Sequence, residues 1–327
     1  MIDAPVPAPP RARKSRLQRL LIVGVLLLTG AWTWKHYWLV HDVGSGPAGP
    51  AVPQALFAKP WRTEPTVLLG LGDSVTDGYG STKGHSFFEL LATQPADDLP
   101  DLHGGDLRAV FPQLRAVNRA ISGTTSFDVI DRVLAKFTPY PADTLGVVVL
   151  STGGNDLIHN YGRTRPSEQA MYGATLAEAK PWIAGYANRL DGIATRLGQL
   201  FPGGVEVFVM TIFDPTDGVG DIEAAGLPAW PDGLAILQAY NDEIAACARR
   251  HAQVHVVPVH DAFLGHGLHC AQPWRSTYHR DDPGYWLYEN LEDPNDRGYD
   301  AIRRLFLLAM GEVFTVRAPL AAAAPAP

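Results

Sequence analysis

At 327 residues the chain has room for one large domain or two small ones, and its 46% apolar content suits a sizeable core. The net charge of −7 is uneven: residues 1–40 carry six Lys/Arg against Asp3, which leaves the remainder near −12 and argues against nucleic-acid binding, since that calls for a basic face. The two cysteines, Cys247 and Cys270, are too few and wrongly spaced for a zinc site, so they either close one disulfide or are buried as apolar residues.

In chain order, Arg11, Arg13, Lys14, Arg16 and Arg19 precede an uncharged run from Leu20 to Trp34, extended by Leu39 and Val40. No small-x-small cleavage site follows it, and Trp32, Trp34, Tyr37 and Trp38 have the make-up of an interfacial aromatic belt. The pattern predicts a basic cytoplasmic arm over 1–19 and a transmembrane signal-anchor helix over 20–40, with a cleaved signal peptide as the alternative. The positive-inside rule then puts the main domain outside the cytoplasm, periplasmic or extracellular. Residues 41–61 are rich in Gly and Pro and read as a linker, and the tail over 317–327 reads as disordered.

Between 62 and 316, strand-like runs alternate with helical patterns. The expected strands are Thr66–Leu71, Leu114–Asn118, Gly146–Ser151, Val205–Thr211 and Val254–Val259. The expected helical stretches are Ser86–Thr93, Ser126–Phe137, Ser167–Leu200, Leu234–His251 and Asn295–Val316. This alternation predicts an α/β domain, three-layered and doubly wound, with a central parallel sheet and helices on both faces. Sites in such sheets lie at the carboxyl ends of strands. Gly70-Leu71-Gly72 opens like a dinucleotide fingerprint, but Val75 stands at the third glycine position and no acidic residue is clearly placed to follow it. A phosphate-binding loop and internal repeats are lacking, and no metal or organic cofactor is expected.

Three short segments carry the chemistry: Gly72-Asp73-Ser74-Val75-Thr76-Asp77-Gly78, Asn118-Arg119-Ala120-Ile121-Ser122-Gly123 and Gly153-Gly154-Asn155-Asp156. Each follows a predicted strand, so one sheet edge gathers Ser74, Gly123 and Asn155. A serine nucleophile needs donors aimed at the developing oxyanion, and backbone N–H groups or an Asn amide supply them. The bland alternatives are a helix-capping serine, a turn glycine and a turn asparagine. With these motifs in this order, the chain resembles the SGNH (GDSL-type) hydrolases, a family of serine esterases and acyl-hydrolases with a flavodoxin-like fold. The resemblance implies Ser74 as nucleophile and an oxyanion hole from the Ser74 N–H, the Gly123 N–H and the Asn155 side chain. Asp73 and Asp156 are expected to buttress the loops.

The resemblance also implies an Asp-x-x-His-Pro pair opening the last helix. The Pro294-Asn295-x-x-Gly298-Tyr299 frame fixes the register and puts Asp293 where histidine belongs and Asn290 where aspartate belongs. An aspartate near pKa ~3.9 is a weaker base than a histidine near ~6.5, although burial raises a carboxyl. Three accounts are open. Another histidine serves as base, with His266 foremost and His269 or His279 behind it; a carboxylate, Asp293 or Glu292, serves instead; or the site binds without hydrolysing. The aromatics Trp274, Tyr278, Tyr285, Trp286 and Tyr288 either wall a pocket or pack as an insertion covering the sheet edge. The expected activity is a membrane-anchored ester hydrolase or acyltransferase acting on a lipid or O-acylated glycan, and the alternative is a non-catalytic binding protein of the cell envelope.

Overall fold

A computed structural model describes residues 16–316, so most of the expected basic arm and the C-terminal tail lie outside the described residues. The chain forms two compact units that part between His41 and Asp42. The first holds helix α1 (Arg16–Trp34), which passes into a wider helical turn over Lys35–Leu39. Leu20, Leu21, Leu26, Leu27 and Leu28 are all exposed on it. Among the described residues no helix is long and apolar enough to cross a membrane. The span expected over 20–40 is therefore not supported. Its uncharged run, Leu20–Trp34, is 15 residues, about 22 Å of helix against a hydrocarbon core of roughly 30 Å.

The second unit is built on strands β1 (Thr66–Gly72), β2 (Leu114–Asn118), β3 (Leu145–Ser151), β4 (Val205–Met210) and β5 (Val254–Val257). They form one parallel sheet in the order β2-β1-β3-β4-β5, as the βα alternation predicts. The helices that matter for the site are α2 (Ser74–Asp77), α3 (Phe87–Ala92), α4 (Gly154–Ile158), α5 (Leu176–Leu200), α6 (Gly233–Arg250) and α7 (Asp296–Gly311). Period-two alternation splits each strand between two cores. Val147, Val149, Phe208 and Met210 pack with α3 and α7 on one face. Val148, Leu150, Val207 and Val209 pack with α5 and α6 on the other.

Two boundaries differ from the sequence pattern for local reasons. Helix α5 starts at Leu176, not near Ser167, because Thr175 and Glu178 form a reciprocal capping box there. Strand β5 stops at Val257 because Pro258 has no N–H to offer the ladder. The segment read as a linker is fastened down from Asp42 onward. Ala48 and Val52 are buried, the Ala48 N–H donates to Asp300 Oδ2 (3.0 Å), and Arg297 donates to the carbonyls of Val43 (2.8 Å) and Pro47 (3.1 Å).

Of the aromatic segment, Trp286 and Tyr285 pack against the core, whereas Trp274 is exposed. Trp286 is buried, lies edge-on to Phe263 and stacks on His266 at 3.4 Å between ring centroids, with His279 on the other side of His266 at 4.8 Å. The buried His266 pairs through Nδ1 with the Gly284 carbonyl (2.8 Å). Cys247 and Cys270 are both free and buried, so they behave as apolar residues and form no disulfide. On α7, Arg303 and Arg304 are 1% exposed and share Asp300, and each takes a second carboxylate, Asp98 (2.6 Å) and Asp101 (2.7 Å) respectively.

Removing one partner of such a buried network leaves an uncompensated charge. Asp300→Ala is expected to cost about 3–5 kcal/mol in urea unfolding. Burial lowers the His266 pKa to about 4. Below the unfolded value of ~6.5, the unfolded chain takes up a proton that the native chain refuses. The stability held by neutral His266 is therefore complete above ~6.5 and is lost as pH falls through about 4, a loss of roughly 3 kcal/mol. Unfolding curves of wild type and His266→Phe from pH 7 to 4 should differ by that component.

Candidate active site

Strand β1 ends where it touches β3. Gly72 has φ +118°, and a Cβ there would lie 1.8 Å from the Ser151 carbonyl oxygen, so only glycine permits this approach. Asp73 then caps α2, its Oδ1 accepting from the Val75 N–H (3.2 Å) and from the Ser151 hydroxyl (2.6 Å). The Ser151 oxygen also lies 2.8 Å from Thr76 Oγ1. Ser74 is thereby fixed as the first residue of α2 and remains partly exposed. Burial pushes Asp73 up to about 6, opposed by Ser151 and assisted by the charge of Asp293.

The loop after β2 is tied to the same strand end: Ile121 N–H (3.0 Å) and Thr124 Oγ1 (2.8 Å) both donate to the Gly72 carbonyl. Gly123 has φ +81° with open space around a would-be Cβ, so its backbone conformation is what calls for glycine. Asn155, in the first turn of α4, donates through Nδ2 to the Thr124 carbonyl (2.9 Å), which leaves its second amide hydrogen available. Asp156 joins the two loops by accepting from the N–H (2.8 Å) and hydroxyl (2.5 Å) of Ser126. Burial raises its pKa while Ser126 and Arg189 oppose the rise. Among the described residues, the N–H groups of Ser74 and Gly123 donate to no protein acceptor.

Ser74 and Asn155 line a cleft of about 440 Å³. Its polar lining includes Asp73, Ser151, Arg163, Asn290 and Glu292, and its apolar lining includes Ile212, Leu227, Trp230, Leu234 and Leu237. These apolar residues come largely from the long connection between β4 and α6, which has no periodicity to reveal them in the sequence.

Asp293 is 2% exposed and lies near enough to Ser74 for the serine hydroxyl to act to lower its pKa. Burial, the largest influence, outweighs the serine and a hydrogen bond from Asn290, so the pKa is raised. Asn290 Nδ2 donates to Asp293 Oδ2 (2.7 Å), while Oδ1 of the same amide accepts from the N–H groups of Glu292 and Asp293 (3.2 Å each). Asp293 Oδ1 is buried without a hydrogen-bond partner among the described residues. The neighbouring Glu292 is raised by burial, which the Tyr161 hydroxyl opposes.

The structure thus brings Ser74, Asn155 and Asp293 together, with Gly123 next to the Thr124 carbonyl that holds Asn155. It does not bring His266 to them. His266 is enclosed between Trp286 and His279 and does not line the cleft. Neither do His269, paired with Asp221 (2.8 Å), or His279, paired with the Leu264 carbonyl (2.9 Å). Ser151 and Tyr161 went unnoticed in the sequence, although Ser151 closes the apolar run of β3. Asp191, Cys247 and His251 could offer three metal ligands, but they lie away from the cleft, and Asp191 already pairs with Arg250 (2.9 Å).

Among solved structures, a phospholipase A1 from Streptomyces albidoflavus NA297 aligns at 21% identity over 76% of this chain and 100% of its own, with a TM-score of 0.47. The acetylxylan esterase Axe2 from Geobacillus stearothermophilus aligns at 19% over 76% and 95%, also at 0.47. An extracellular lipase from Streptomyces rimosus aligns at 18% over 75% and 99%, at 0.45. No curated protein matches the chain significantly. Residues 71–287, which contain Ser74, Gly123 and Asn155, match the model of the GDSL-like Lipase/Acylhydrolase family. A parallel α/β sheet with a Gly-Asp-Ser turn at the end of its first strand, matched over most of the chain, makes this protein a member of that family of ester hydrolases.

Proposed function

We propose that the protein hydrolyses an acyl ester through an acyl-serine intermediate on Ser74, with the acyl chain lying in the apolar cleft. The observation that carries the reading is the position of Ser74 on the lining of that cleft together with Asn155, whose amide has a hydrogen to spare. Ser74 Oγ attacks the ester carbonyl, and the oxyanion meets the N–H groups of Ser74 and Gly123 and the free amide hydrogen of Asn155. The alcohol leaves, and water then cleaves the acyl-serine. The wall formed by Ile212, Trp230, Leu234 and Leu237 is wider and more apolar than an acetyl group needs, which favours longer acyl chains.

The location we propose is extracytoplasmic, with α1 held at a lipid surface. Support comes from its basic flank and exposed leucines, and from the stacked pairs Trp32–His36 and Trp34–Trp38 at one end. A lipid or an O-acylated glycan of the envelope is the substrate class that this location would offer.

A fluorophosphonate probe should label the full-length protein and leave Ser74→Ala unlabelled. Asn155→Ala should lower kcat by ~10²–10³-fold with little change in KM, because its donor acts on the oxyanion. Leu234→Trp should reduce kcat/KM for p-nitrophenyl octanoate by more than roughly tenfold and spare p-nitrophenyl acetate. Labelling of Ser74→Ala, or equal loss on both esters, would contradict the assignment. Cell fractionation should find the protein with membranes, and removal of residues 1–41 should release it.

A further inference from the structure

We propose that Asp293 is the general base that activates Ser74, and that Asn290 is its positioning residue. The inference rests on the hydrolase reading above and names the group that reading leaves open. Three observations carry it. Asp293 is buried, near enough to Ser74 for the serine hydroxyl to act on its carboxyl. Its Oδ1 is buried without a hydrogen-bond partner and so is free to accept, while Oδ2 is held by Asn290. His266, His269 and His279 are each engaged elsewhere, by the Gly284 carbonyl, Asp221 and the Leu264 carbonyl respectively.

Asn290 suits this base as an aspartate would suit a histidine. An imidazole base carries an N–H on its far side and needs an acceptor there; a carboxylate carries a lone pair there and needs a donor. The amide of Asn290 has only one possible orientation, because its oxygen is committed to two backbone N–H groups of its own turn. Its Nδ2 must then face Asp293. Turning the amide over would set oxygen against oxygen and leave both N–H groups without an acceptor.

Asp77, Asp73, Glu292, Tyr161 and Tyr299 on α7 all interact with Asp293 through charge. Among the described residues, no basic side chain is one of the groups that shift it. Burial and the nearby acids raise its proton affinity, in the direction a base needs.

The proton balance closes. The Ser74 Oγ–H proton moves to Asp293 as Oγ forms its bond to the ester carbon. As the tetrahedral intermediate collapses, the C–O bond to the alcohol breaks, and Asp293 returns the proton to the leaving oxygen. Water then loses a proton to Asp293 while its oxygen bonds to the acyl carbon. The bond to Ser74 breaks, and the proton returns to Oγ.

The test uses full-length wild type, Asp293→Asn, Asn290→Ala and the double variant Asn290→Asp/Asp293→His, each scored by fluorophosphonate labelling and by p-nitrophenyl butyrate turnover against pH. Asp293→Asn is expected to lose ~10²–10⁴-fold in kcat with KM little changed. The acid limb of the wild-type kcat/KM profile should barely move with temperature, since carboxyl ionisation is nearly athermal and imidazole ionisation is not. Asn290→Ala removes a hydrogen bond that lowers the Asp293 pKa, so its acid limb should move up; a merely structural asparagine would leave the limb in place. In the double variant the limb should move to the histidine range near ~6.5 and become temperature-dependent.

Wild-type turnover with full labelling and activity in Asp293→Asn would overturn the inference, as would a wild-type limb with the temperature response of imidazole. If Asp293→Asn fails to fold, the wild-type profile and the double variant still decide. A silent wild type beside an active double variant would sink the carboxylate base and leave Ser74 and its donors standing. Silence in both, from folded protein, would sink the hydrolase reading itself and the inference with it.

Discussion

Gly72 and Ser151 are register partners at the ends of β1 and β3, and the whole site depends on how closely their backbones meet. A parallel sheet keeps neighbouring strand ends about 5 Å apart. Here the missing Cβ brings the turn after β1 directly onto β3, and the Ser151 hydroxyl bridges Asp73 and Thr76 across the junction. The loop after β2 then hangs on the Gly72 carbonyl. Ser74, Gly123 and Asn155 thus take their positions from rigid strand ends and two carbonyl groups, not from the loops' own stiffness.

The electrostatic character of the site follows from the acids gathered there. Asp73, Asp293 and Glu292 are each raised by burial, and the charge of Asp293 adds to the rise of the other two. A histidine base would create an ion pair during attack, cation beside oxyanion. A carboxylate base creates none: one negative charge passes from Asp293 to the former carbonyl oxygen, and the total is unchanged. With such a base, the donors at Ser74, Gly123 and Asn155 would compete with Asp293 for a single charge, with no imidazolium to help them. Such a site would tolerate poorly a substrate bearing its own negative charge near the scissile bond.

Much of this was legible in the chain because it is local. Five apolar runs bounded by Gly, Pro and Asn are enough to recover the strands, and Ser74, Gly123 and Asn155 lie within a few residues of strand ends. What stayed hidden depends on contacts far apart in sequence. His266 looked suitable because it follows the last strand closely, but its surroundings are set by Trp286, which stacks on it and buries it. Residues 41–61 looked like a tether because Gly and Pro have no period, whereas Arg297 and Asp300, some 250 positions later, supply the partners that hold them. The Pro294–Tyr299 frame located Asn290 and Asp293, but which way the amide faces depends on a turn that composition does not specify.

The two thiols are placed so that the folded protein conceals them and an open one would not. Burial pushes Cys247 and Cys270 up to about 12, so at pH 8 only about one molecule in 10⁴ carries a thiolate at either. With no disulfide to form, the domain folds by the same contacts in reducing and oxidising surroundings. Cys247 lies on α6 against the sheet, and Cys270 lies in the segment leading to Trp286. A brief pulse of maleimide would therefore count, separately, the molecules whose core has opened and those in which only the aromatic segment has come loose.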